Sequence, residues 1–223
     1  MSAVFFGSLS TLADTSELQR RAFNDAFAAH GLDWQWSRDD YVAKLASSGG
    51  VDRVTAYAAA RGVDVEAAAV HETKSRLFQD LLRAGPVEPR PGVVDTIAAA
   101  REHGHRLGFV TTTSRANVDA VFAALAPDVS ATMFDLIVHR DSVDHPKPDP
   151  EAYEFALRQL GEQAGHAVAI EDNLGGVAAA GGAGVGCIAF PNSNTVGSDF
   201  SAAAHVTQVL DPALVLSLLF GDR

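Results

Sequence analysis

Met1-Ser-Ala-Val-Phe-Phe-Gly-Ser-Leu-Ser-Thr-Leu-Ala-Asp-Thr15 opens the chain. Residues 3–6 are an apolar run of strand type, and the small residues after them make a turn that ends Thr11-Leu12-Ala13-Asp14. Open α/β sheets gather their ligands at the carboxyl ends of their strands, so the chemistry of this turn matters. Two of its positions supply none. Gly7 has no side chain, and Leu9 has no titratable group.

Outward from this strand, the chain has two textures. From about residue 86, helical windows (93–103, 114–124, 150–160, 174–183 and 212–219) alternate with apolar runs (107–110, 134–138, 167–170 and 186–190). That alternation predicts an α/β fold with a parallel sheet flanked by helices. The runs are almost continuously apolar, as strands buried on both faces are. Residues 16–84 instead show helical periodicity alone: Leu18, Ala22, Phe23, Ala26 and Phe27 on one face, then Val70, Leu77, Phe78 and Leu81 on a later one. Ser16 with Gln19 reads as a capping box. The predicted division is a core of residues 1–15 and 86–223 with a helical insert of residues 16–85. Trp34 and Trp36 read either as the core of that insert or as a partner surface.

The chain has 223 residues, enough for one large domain or a domain with an insertion. A net charge of −11 argues against nucleic acid as a partner, since that requires a basic face. The single cysteine, Cys187, excludes an intramolecular disulfide and reads as an inert core thiol. No apolar run reaches membrane-span length and no signal peptide opens the chain, so the expectation is a cytoplasmic monomer or small homo-oligomer.

Three further clusters end predicted strands or open helices. Val110-Thr111-Thr112-Thr113-Ser114-Arg115 presents hydroxyls and amides at a helix start, which suits phosphate or a Ser/Thr cap. His145-Pro146-Lys147-Pro148-Asp149-Pro150 locks a lysine between prolines, as a fixed point charge or as a solvated side chain on a stiff loop. Ile170-Glu171-Asp172-Asn173 ends a buried strand with two acids, which are costly there without a cation. Mg²⁺ takes such hard oxygen ligands, and a helix cap is the other reading.

Together, in this order and spacing, the clusters resemble the haloacid dehalogenase (HAD) superfamily of aspartate-nucleophile phosphohydrolases. Within it, the chain is similar to the helical-cap phosphosugar phosphatase and β-phosphoglucomutase-like branch, the CbbY type especially. The resemblance implies a Rossmann-like core with an inserted helical cap. It implies phosphate contacts from Thr111, Thr112 and Lys147, and Mg²⁺ held, weakly, by Glu171 and Asp172. It also implies contacts from Arg53, His71 and Lys74 of the insert to a phosphorylated small molecule, a sugar phosphate. The family frame reads Asp, any residue, Asp, Gly, Thr, Leu; here Gly7 stands at the nucleophile position, Leu9 at the acid/base position and Ser10 at the glycine. Loss of a nucleophile from an interdependent site costs on the order of 10⁶ in turnover, ~8 kcal/mol. Three functions follow as expectations: a phosphosugar-binding protein with little or no phosphatase activity, an Mg²⁺-dependent phosphatase with a relocated nucleophile such as Ser8 or Ser10, and a non-enzymatic interaction protein.

Overall fold

The structure, a computed structural model, describes residues 2–45 and 49–219. Among them six parallel strands form one sheet: β1 (Ala3–Phe6), β2 (Arg106–Val110), β3 (Leu136–Val138), β4 (Ala167–Glu171), β5 (Gly186–Ala189) and β6 (His205–Val206), in the spatial order β3-β2-β1-β4-β5-β6. β1 is central, with Phe6 opposite Phe109 on one side and Ile170 on the other. Residues just past Phe6, Val110 and Ile170 therefore emerge side by side at the carboxyl ends of three neighbouring strands. Every residue of β1 and β4 is buried, which is why β1 and residues 167–170 are apolar throughout, with Glu171 the exception.

One short helix follows the first strand: α1 (Leu9–Leu12) replaces the turn expected there. Leu9 and Leu12 drive it, both buried in the main core with Phe6, Phe109 and Ile170. Four helices come next, α2 (Ser16–Ala29), α3 (Arg38–Lys44), α4 (Gly50–Arg61) and α5 (Ala67–Ala84), with no strand among their described residues. They bury their own cluster, which includes Phe23, Phe27, Trp34, Trp36, Tyr41 and Val70. Both tryptophans are thus interior, not a partner surface. α5 also reaches the main core through Phe78 and Leu82.

The remaining helices, α6 (Val93–Glu102), α7 (Arg115–Leu125), α8 (Glu151–Leu160), α9 (Leu174–Gly182) and α10 (Pro212–Ser217), flank the sheet. β3 is shorter than expected: residues 134 and 135 lie outside it, between a 3₁₀ turn at Ala131–Met133 and the strand. The capping box expected at Ser16 is absent: Thr15 is the N-cap, and the Ser16 hydroxyl donates to Asp14 instead (2.5 Å). Ser37 and Asp40 form one at α3. Cys187 is buried, and burial pushes its thiol pKa up, consistent with an inert core residue. Among the described residues no helix is long and apolar enough to cross a membrane.

Candidate functional site

The parallel register brings Gly7, Thr111 and Glu171 to one edge, and the loop before α8 delivers Lys147 beneath them. Lys147 is buried, not solvated. Its ammonium donates to Gly7 O (2.7 Å), Val110 O (2.6 Å) and Glu171 Oε1 (2.6 Å), with the Tyr153 phenol oxygen farther off at 3.3 Å. An ammonium has three protons, so these three short bonds leave none for a ligand.

Glu171 is fully buried. Its Oε1 also accepts from the Tyr153 hydroxyl (2.7 Å), and its Oε2 is buried with no partner. Burial pushes this carboxyl above the usual range, opposed by the ammonium of Lys147. Two glycines make room for it. A Cβ on Gly7 would fall within 3.0 Å of Glu171 Cδ and Oε1 and 2.6 Å from the Tyr153 oxygen, and a Cβ on Gly176 would fall within 3.0 Å of Glu171 Cδ and both carboxyl oxygens. The Glu171 side chain thus occupies the space beside residue 7 that any side chain there would need.

One prediction follows for Gly176. Alanine in a helix is ordinarily worth ~1 kcal/mol over glycine. Here Gly176→Ala should instead destabilise by about 1–3 kcal/mol, the usual range for overpacking. Urea unfolding reads the sign.

Asp172 is held differently. Its Oδ1 accepts from Ser8 Oγ (2.6 Å) and Asn173 Nδ2 (2.7 Å), and its Oδ2 from Asn192 Nδ2 (2.5 Å). Thr195 Oγ1 caps its carbonyl (2.6 Å). Thr111 is buried, and its Oγ1 accepts from Thr113 N–H (3.3 Å), while Thr112 is half-buried beside it. Ser114 caps α7, the cap reading of that cluster. Leu9 packs into the core, away from any polar role.

On the insert, Arg53, His71 and Lys74 meet around one ring, Phe23, at 5.9, 6.3 and 4.8 Å. His71 Nε2 lies against Gly50, where a Cβ would not fit. Lys74 is buried, bonded to Gln19 Oε1 (3.1 Å), with no carboxylate partner among the described residues. Gln19 leads on to Thr15 (3.5 Å) and Thr15 to Ser10 (2.9 Å), a chain of hydrogen bonds that links Lys74 to α1. Arg38 closes the seam, donating to Asn194 Oδ1 (3.0 Å) and to Ser193 O.

Burial, with the nearby Arg53 charge, lowers Lys74 to about 7 and His71, where Lys74 also contributes, to about 4. A lysine with a folded pKa below its unfolded value opposes folding while charged in both states. The unfolded chain then binds more protons between the two values, so stability rises as pH climbs from about 7 toward 10.5. In urea titrations between pH 7 and 9, Lys74→Met should be the more stable protein at pH 7 and should lack this rise.

Sequence reasoning missed three residues here. Tyr153 is masked by its place on a helix. Arg90 stacks on Phe190 (3.3 Å) and donates to Ser10 O (2.9 Å), Phe190 O (2.8 Å) and Pro191 O (2.6 Å). Asn192 carried a usable signal: the polar run Asn192-Ser193-Asn194-Thr195 follows a buried strand, as the other clusters do.

Mg²⁺ fits these residues poorly. Lys147 already holds Glu171, and both Asp172 oxygens face hydrogen-bond donors. Among the described residues, only His145, Asp149 and Glu151 bring three ligand atoms within 4.8 Å of one another, and they lie at the surface. There His145 Nδ1 bonds to Glu151 Oε2 (2.8 Å), not to Ser8.

Comparison with known proteins agrees with this architecture. The family described as haloacid dehalogenase-like hydrolase matches residues 1–184. Protein CbbY of Cereibacter sphaeroides is 40% identical over 204 residues, covering 90% of this chain and 89% of its own. The crystal structure of CbbY from Rhodobacter sphaeroides in complex with phosphate superposes with a TM-score of 0.89 at 37% identity, over 99% of this chain and 100% of that one. A mutant of that protein in complex with xylulose-(1,5)bisphosphate gives 0.86 at 38% identity, over 94% of each chain. Parallel sheet, flanking helices and sequence together place the chain among the haloacid dehalogenase-like hydrolases, and CbbY is one of the relatives it resembles.

Proposed function

We propose that the chain binds a phosphorylated sugar at the seam between its α/β core and a helical cap (residues 16–85), and does not hydrolyse it. One observation carries the second half: the space beside Gly7, where the family resemblance puts the nucleophile, is filled by Glu171 and Tyr153. Leu9, at the acid/base position, is packed in the core. An aspartate at either place would need a different interior.

Support for the ligand comes from the relatives and from the cap. CbbY structures hold phosphate and xylulose-(1,5)bisphosphate. In this chain Lys74 is buried with no carboxylate partner among the described residues, Arg53 stands near it, and the half-buried Thr112 offers a hydroxyl on the core side. Without acids at residues 7 and 9, a phosphate beside them also meets less repulsion. Calorimetry against ketose and aldose mono- and bisphosphates tests the reading. One saturable site, weakened by Lys74→Met and Arg53→Ala, is the expected result; no binding across the panel would overturn it.

A second reading rests on the 2.6 Å bond from Ser8 Oγ to Asp172 Oδ1, which pairs a hydroxyl with a proton acceptor. A serine nucleophile needs such a base. Under that reading the protein hydrolyses p-nitrophenyl phosphate and Ser8→Ala abolishes it, whereas Ser10, buried against Thr15, is irrelevant. Rates at buffer level in the wild type end it.

A further inference from the structure

We infer that this chain has exchanged the family's metal centre for an internal ammonium–carboxylate pair, so that ligand binding at the seam needs no divalent cation. The inference concerns the metal and stands whether or not the ligand is a sugar phosphate.

Two wired contacts carry it. Glu171 Oε1 has the Lys147 ammonium at 2.6 Å and the Tyr153 hydroxyl at 2.7 Å, inside a pocket from which both Gly7 and Gly176 withhold a Cβ. Mg²⁺ demands near-octahedral oxygens at about 2.0–2.1 Å and keeps several waters. Glu171 is fully buried, two donors already hold its Oε1, and the ammonium already supplies the positive charge.

The surroundings of Asp172 decide the rest. Its oxygens face the amide N–H groups of Asn173 and Asn192. Neither amide can turn its oxygen toward a cation without loss. Asn173 Oδ1 accepts from Gly176 N (2.9 Å) as the cap of α9, and Asn192 Oδ1 accepts from Asn194 N (2.8 Å) and Thr195 N (3.1 Å). Backbone donors thus pin both side chains with their N–H ends on Asp172. That shell suits a carboxylate with no metal and presents positive hydrogens where an ion would sit.

Mn²⁺ titration followed by water-proton relaxation tests this on the full-length wild type and on His145→Ala, which removes the surface triad. No saturable binding should remain in His145→Ala up to about 10 mM, beyond the weak end of ordinary divalent sites. Saturable binding that persists in His145→Ala and disappears in Asp172→Asn would overturn the inference. Lys147→Met combined with Asn192→Asp should create Mn²⁺ affinity, read as a rise in melting temperature on adding the ion. Absence of that gain in a folded double variant would also count against it, and the His145→Ala titration decides by itself if the double variant does not fold.

Discussion

Lys147→Met should cost the fold about 3–5 kcal/mol, the largest effect of any single side chain in the site. The substitution keeps most of the packed volume and removes the charge, leaving the fully buried Glu171 carboxylate with only the Tyr153 hydroxyl. Replacing both partners is a different matter, since a buried pair exchanged for neutral groups is often close to harmless. Lys147→Met with Glu171→Gln should therefore recover most of the loss, and a double-mutant cycle in urea isolates the coupling. pH supplies a second check. The orphaned carboxyl of Lys147→Met has a folded pKa above its unfolded one, so its penalty is absent below the unfolded value and complete above the folded one. The deficit should shrink as pH falls toward the ordinary carboxylate range. A loss below about 1 kcal/mol, the worth of an exposed pair, would mean that Lys147 and Glu171 do not meet in solution.

Gly7→Asp should fail to awaken a phosphatase. The Cβ alone meets Glu171 and the Tyr153 oxygen inside 3.0 Å, and the new carboxylate would be buried against an existing one. Overpacking costs about 1–3 kcal/mol, and like charges raise the pKa of one of the pair, which removes its nucleophilicity at neutral pH. Adding Leu9→Asp restores the family's residue types and places a second acid in an apolar core. Both variants should melt earlier than the wild type and hydrolyse p-nitrophenyl phosphate at buffer level with Mg²⁺ present. A gain of about a thousandfold or more, a sizeable part of what a nucleophile contributes, would show that the family geometry survives at this edge.

Much of the fold is legible in the sequence, for reasons that differ by element. β1, β2 and β4 are read easily because burial on both faces makes residues 3–6, 107–110 and 167–170 almost continuously apolar. The 16–85 segment is read as helical because its apolar residues recur at helical spacing, Leu18, Ala22, Phe23, Ala26 and Phe27 on one face and Val70, Leu77, Phe78 and Leu81 on a later one. α1 is not legible: four residues, Leu9–Leu12, have weak helical preference and fold as a turn of helix because tertiary burial claims Leu9 and Leu12. β6, two exposed residues long, carries no pattern at all.

The site is legible in its members but not in its wiring. Pro146 and Pro148 mark Lys147 as fixed, and the acids at the end of β4 announce themselves. Which acid turns inward depends on two glycines far apart in sequence, Gly7 and Gly176, whose missing side chains matter only once the sheet brings them to Glu171. The orientation of Asn173 and Asn192 depends likewise on backbone N–H groups that only the folded loops present.

The central claim, a phosphosugar site without turnover, is tested most directly by ³¹P NMR of a sugar bisphosphate mixed with an equal concentration of the protein and Mg²⁺. The account predicts ligand resonances that shift or broaden on binding while no inorganic phosphate signal grows over hours, with the same spectrum in excess chelator. An inorganic phosphate signal that rises with time in the wild type, and that chelator suppresses, would contradict it.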